Sequence, residues 1–202
     1  MAEVLDSAVE APREGVAPRP VIQVVPLRGL PFAGFALLLV VVAIGTNWEW
    51  LLMFTHVAGG ALWTAIDLFV GLVIGPILGR LSIPARAEFA SKFMPAMVII
   101  MPTLVTMNLG SGFQIARQLG NLSPTSPNHP WVIASMIVVG VMATIALGVL
   151  EPANIAVLFE MKKPAPNGER IARLMKRFIY TAGITGVMQI ATLVIMTRIA
   201  TQ

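Results

Sequence analysis

Five apolar runs, each long enough to cross a bilayer as a helix, leave this chain few ways to fold. They lie at about 30–47, 50–79, 89–109, 131–159 and 177–200. A hydrocarbon core of about 30 Å takes roughly 20 helical residues to span. The expected fold is therefore all-α, a polytopic membrane bundle of five transmembrane helices occupying residues 30–202. Composition agrees. Only 12% of the 202 residues are charged, against roughly 25% in a soluble domain. That deficit suits a surface that faces lipid rather than water.

Residues 1–29 read differently. Pro12, Pro18, Pro20 and Pro26 alternate with Glu3, Asp6, Glu10, Arg13, Glu14 and Arg19, a composition expected of a flexible cytoplasmic tail. The short basic region and small-residue cleavage site of a signal peptide are missing, so the first apolar run is expected to be retained. The basic residues then orient the bundle. Of 14 Lys and Arg, all but Arg117 and Arg198 fall in the tail, the second-to-third connection or the fourth-to-fifth connection. The positive-inside rule places those three segments in the cytoplasm, with the N-terminus in and the C-terminus out. Trp48, Trp50 and Trp131 then sit at the outer interface, where indole rings are favoured. The expected location is the bacterial inner membrane, multi-pass, and the net charge of +4 needs no nucleic-acid partner to explain it. The polar stretch from Gly110 to Pro130 is expected to be an ordered outer loop, leaving His129 solvated among prolines. The absence of cysteine excludes disulfides, thiolate metal sites, covalently attached c-type haem and a Cys nucleophile.

Polar groups inside the membrane are costly and so mark candidate sites. At 100° per residue, Glu49, His56, Gly60, Trp63 and Asp67 share one face of the second span. That face must point into the bundle, and its glycines admit a neighbouring backbone or a flat ligand. His56 and Asp67 lie about 16 Å apart along the helix. Asp67 falls at the depth of Glu151 in the fourth span, whose stripe carries Gly140, Thr144 and Gly148, with Pro152 loosening the helix. The expected intramembrane polar site is Asp67, Glu151 and Tyr180, with Thr181 nearby, and the fifth span also contributes Thr185 and Gln189. Asn108 or Thr106 of the third span is the candidate acceptor for the second ring N–H of His56. Met94, Met97 and Met101 share a face that suits either core packing or ligation of copper(I) or haem iron. For His56 itself three readings stand: an interhelical hydrogen bond, a metal or haem ligand, or proton transfer.

The stretch Thr55-His56-Val57-Ala58-Gly59-Gly60-Ala61-Leu62-Trp63 has the form His-x6-Trp with small residues between. It resembles the opening helix of copper-resistance D (CopD)-like proteins, HemJ-type protoporphyrinogen oxidases and the membrane domain of urate-hydroxylase-type proteins. Gly75-Pro76-Ile77-Leu78-Gly79-Arg80-Leu81 is similar to the proline and arginine that end this helix in HemJ-type proteins. The resemblance covers about 27 residues, from Thr55 to Leu81. It implies a haem b or copper ion ligated by His56 with Trp63 beside it; Gly60, from the shared helix face, and Asn108, from its depth in the third span, complete the candidate cofactor-binding residues. The chain departs from these families in a span before the motif and in lacking a second intramembrane histidine. A second ligand would have to come from Met, His129 or a partner subunit.

These features support three functions. The first is a redox or haem/copper-related role centred on His56, carried out alone, as a homodimer or as a subunit of a larger membrane complex. The second is a small cation- or proton-coupled transporter using Asp67 and Glu151. The third is a structural or assembly subunit without its own site. Soluble-enzyme chemistry finds no purchase, because the sequence lacks a phosphate-binding Gly-rich loop, a His-Glu-x-x-His and a Gly-x-Ser-x-Gly.

Overall fold

Apolar runs this long satisfy their backbone by forming helices, and helices make up the regular structure of the computed structural model, which describes residues 22–201. Five are long and apolar enough to cross a membrane: α1 (Leu27–Thr46), α2 (Glu49–Arg80), α3 (Ile83–Gln118), α4 (His129–Met161) and α5 (Gly168–Ala200). The five-helix expectation holds, with helices longer than the apolar runs at several ends. Most of the expected tail, residues 1–21, lies outside the described residues. The remainder of that segment is not a free tail. Ile22 and Val24 pack against the core, and Leu27–Gly29 forms a 3-10 turn at the start of α1.

The connections follow from local chemistry. Asn47 adopts the left-handed conformation, with φ 50°, which Asn tolerates at a helix C-terminus better than most residues. It turns the chain from α1 into α2 within two residues. Ser82 and Asn167 stand at the N-caps of α3 and α5, where their side-chain oxygens accept from Ala85 N and Arg170 N. Glu160, near the end of α4, closes the turn to α5 by accepting from Lys163, Arg170 and the backbone N–H of Asn167.

Helix α3 runs on through Gly110–Gln118, so the expected 110–130 loop shrinks to the turn between Gln118 and His129. The extension is held by side chains. Gln114 donates to Asn47 Oδ1, and Gln118 donates to Asn47 O at 3.2 Å, fastening this end of α3 to the α1–α2 turn. His129 opens α4 rather than standing in the loop, and its Nδ1 is buried without a partner.

Helices α2, α3, α4 and α5 form a ring in which α5 packs back on α2, while α1 leans on α2 and α3. The core inside the ring includes Trp63, Met94, Met97, Met101, Leu150, Leu158 and Phe178. The methionine face of α3 is thus core, filling space where flexible thioethers suit irregular gaps.

Both α2 and α4 contain a π-helical turn, Val70–Ile74 and Ala146–Leu150. Each ends at a dipeptide containing proline, Gly75-Pro76 and Glu151-Pro152. Proline has no N–H and crowds the carbonyl one turn back. The helix widens upstream instead, with Gly75 N donating to Val70 O and Glu151 N to Ala146 O.

Candidate functional site

The widened turn in α4 explains where its acid points. Gly140, Thr144 and Gly148 face outward, yet Glu151 is buried. One extra residue in the turn rotates everything after it by about 100°. The small-residue stripe expected to accompany Glu151 therefore faces out of the bundle, and the acid itself turns inward. In α2 the π turn follows Asp67, so the helical phase from His56 to Asp67 survives. Trp63 and Asp67 are each 1% exposed. Glu49, which shares their face in projection, lies at the exposed end.

Asp67 sits where α2 meets α5. Gly71 and Gly75 on α2 form a small-x3-small pair of the kind that lets membrane helices approach closely. A Cβ added at Gly71 would lie 2.5 Å from Gly183 Cα, so these two backbones are in direct contact. Gly186 presses likewise on the Asp67–Leu68 backbone. That proximity brings short side chains of α5 within reach of the carboxylate. Thr185 Oγ1 donates to Asp67 Oδ2 at 2.9 Å, and Gln189 Nε2 donates to the same oxygen at 3.0 Å. Thr64 Oγ1 donates to Gln189 Oε1, which fixes the amide with its N–H₂ toward Asp67. The Trp63 indole N–H lies near the Asp67 carboxyl but misses the geometry of a hydrogen bond. Thr185, Gln189, Trp63 and Asp67 are all buried. No ion pair reaches Asp67 among the described residues.

The partners differ from those expected. Tyr180 is 64% exposed on the outer face of α5 beneath Lys176, whose Nζ is 5.6 Å from the ring centroid. It takes no part in the Asp67 network, because Tyr180 and Thr185, five residues apart, are turned about 140° from each other on a helix. Glu151 is on α4, across the ring from α2, and makes no hydrogen bond to Asp67. Both its carboxyl oxygens, and both amide atoms of neighbouring Asn154, are buried without a hydrogen bond. Thr185 and Gln189, expected among the polar residues of the fifth span, are the ones that reach Asp67, and Asn154 beside Glu151 is the residue the sequence alone does not single out. Thr185 and Gln189 are four apart on α5, a signal visible in the sequence but not attributable to Asp67 before helix pairing is known.

His56 is a second polar position, near the opposite end of α2. Its Nδ1 donates to the Asn108 carbonyl at 3.2 Å, since a carbonyl oxygen can only accept, and Ser111 Oγ lies 3.5 Å from the same nitrogen. The expected link to Asn108 is present, but through the backbone rather than the side chain. The glycines nearby are filled by protein. A Cβ at Gly60 would lie 2.8 Å from Asn108 Nδ2, one at Gly59 3.3 Å from Met107 Cβ, and one at Gly112 2.6 Å from the His56 ring. The space expected for a flat ligand thus receives α3. Among the described residues no group of three His, Asp or Glu side chains gathers as a metal site. A haem does not fit these contacts as they stand.

No known family model, curated protein or solved structure matches the chain.

Proposed function

We propose that this chain is a multi-pass protein of the bacterial inner membrane, N-terminus inside and C-terminus outside, that loads and relays a proton or small cation at Asp67. The observation that carries this reading is a fully buried carboxyl group held by neutral donors alone. Two neutral hydrogen bonds do not offset the desolvation of a full negative charge. Such a group completes itself with a proton or a cation, and intramembrane acids of this kind mark ion and proton paths. The amide of Gln189, oriented by Thr64, serves as a fixed donor that keeps one carboxyl oxygen in place while the other exchanges its partner. Glu151 is the second carboxyl of the path, buried on α4 beside a π turn, a departure from regular helix often found at functional positions.

The test is flux in proteoliposomes carrying a pH-sensitive dye, with sodium and potassium gradients as separate arms. Wild type should dissipate a gradient, and Asp67→Asn should reduce the rate at least about tenfold while eluting as the same folded species. Undiminished flux through Asp67→Asn overturns the assignment.

The redox reading keeps one supporting observation. His56 Nδ1 is held by the Asn108 carbonyl, which orients the ring as in metal-ligating histidines and leaves Nε2 without a hydrogen bond among the described residues. Haem b or copper would bind there with a second ligand from Met, His129 or a partner subunit, and with α3 displaced from Gly60. A Soret band or stoichiometric copper in native-membrane preparations, abolished by His56→Ala, is the result that reading requires.

A further inference from the structure

At the basic end of the bundle, α2 and α5 part to leave a groove of about 960 Å³ on the outer face. Gly75 and Gly79 of α2 line its floor, where Ile179 covers Gly75 but a Cβ at Gly79 would meet nothing within 4 Å. Its walls include Leu72, Ile184 and Val187, at 64%, 58% and 58% exposure. The polarity is uneven along its length. Arg86, Arg173 and Lys176 line one end, and Val187 and Met188 the other. Arg173 and Val187 are 14 residues apart on α5, about 21 Å by helix rise. That is roughly the depth of one leaflet, from headgroups to bilayer centre.

The three cations are placed to receive an anion. Lys163 and Arg170 are engaged by Glu160, and Lys92 by Glu88. Arg173 and Lys176 make no ion pair among the described residues. Lys176 rests over the Tyr180 ring at the edge of the groove. Arg86 is held rigidly, its Nε donating to Leu81 O at 2.9 Å and its Nη2 to Gly79 O at 3.0 Å. A planar guanidinium fixed in this way is pre-organised for phosphate. Basic pockets between membrane helices suit anionic headgroups, and the apolar length below suits acyl chains. A soluble phosphate would have no use for that length.

We propose that this groove is a binding site for one anionic glycerophospholipid, its phosphate at Arg86, Arg173 and Lys176 and its acyl chains along the glycine floor toward Val187. The site is independent of the Asp67 reading. It is tested by native mass spectrometry of the full chain in detergent with an equimolar mixture of phosphatidylglycerol and phosphatidylethanolamine. Wild type should retain the anionic lipid preferentially. Each cation beside an anionic headgroup contributes about fivefold in affinity, so Arg173→Gln with Lys176→Gln should weaken retention about thirtyfold. Arg177→Gln, a neighbouring cation that does not line the groove, should leave it unchanged. Gly79→Leu adds bulk to the floor from a Cβ that meets nothing within 4 Å and should displace the lipid with all charges intact, which keeps the proposal testable if the charge variant misfolds. Equal retention of the two lipids by wild type overturns it. So does undiminished retention by Gly79→Leu, or an effect of Arg177→Gln as large as that of the double variant.

Discussion

The close crossing of α2 and α5 determines whether Asp67 has partners, and Gly71→Ala tests that link directly. The added Cβ would lie 2.5 Å from Gly183 Cα, where ordinary contact begins at 3.4 Å, a shortfall of 0.9 Å against backbone that cannot rotate away. If the helices part by that amount, the bonds to Asp67 at 2.9 and 3.0 Å stretch beyond the range of a hydrogen bond. Interhelical hydrogen bonds in membrane proteins average about 0.6 kcal/mol each, and overpacking costs about 1–3 kcal/mol. Gly71→Ala should therefore destabilise by about 2–4 kcal/mol. Gly79→Ala is the control on the same helix. With open space at its Cβ, it should be neutral or stabilising by up to about 1 kcal/mol through reduced freedom of the unfolded chain. Unfolding of both variants in bicelles, read by loss of helical circular dichroism, compares them directly. If the two stabilities agree within about 0.5 kcal/mol, the backbone contact at Gly71 is not what holds α5 to Asp67.

Three further outcomes follow from particular contacts. Asp67→Asn and Gln189→Leu should be non-additive in the same unfolding assay, with a coupling of about 0.5–2 kcal/mol because the two side chains touch, whereas Asp67→Asn and Glu151→Gln should add. Asn47→Ala should cost about 1–3 kcal/mol, combining a left-handed backbone with loss of the Gln114 bond, and Asn47→Gly should recover part of it. Reporter fusions after Gln202 and near Asn167 should fall on opposite sides of the membrane; finding them together refutes the proposed orientation.

The helical class and the number of spans were legible in the linear sequence because both depend only on how many consecutive residues are apolar. The shared face of Trp63 and Asp67 was equally legible, since helical phase is a property of one segment and no π turn interrupts it before Asp67. The same reasoning misplaced the Glu151 stripe, because Pro152 re-phases α4 by a single widened turn and periodicity alone does not reveal it. Residues 110–118 read as loop from their glycine and polar content. They are helical because Gln114 and Gln118 find Asn47 across the bundle, a contact of long sequence separation. The glycines beside His56 announced a close approach without saying by what, and the answer, Asn108 and Met107 of α3, depends on helix order around the ring. Thr185 and Gln189 became partners of Asp67 only once Gly71 and Gly183 set the two backbones in contact. The sequence by itself determined which segments are long and apolar enough to cross a membrane and which side chains are too polar to face lipid. Tertiary structure decided what each of those side chains meets, because in a bilayer the partner of a buried polar group is chosen by helix packing and not by distance along the chain.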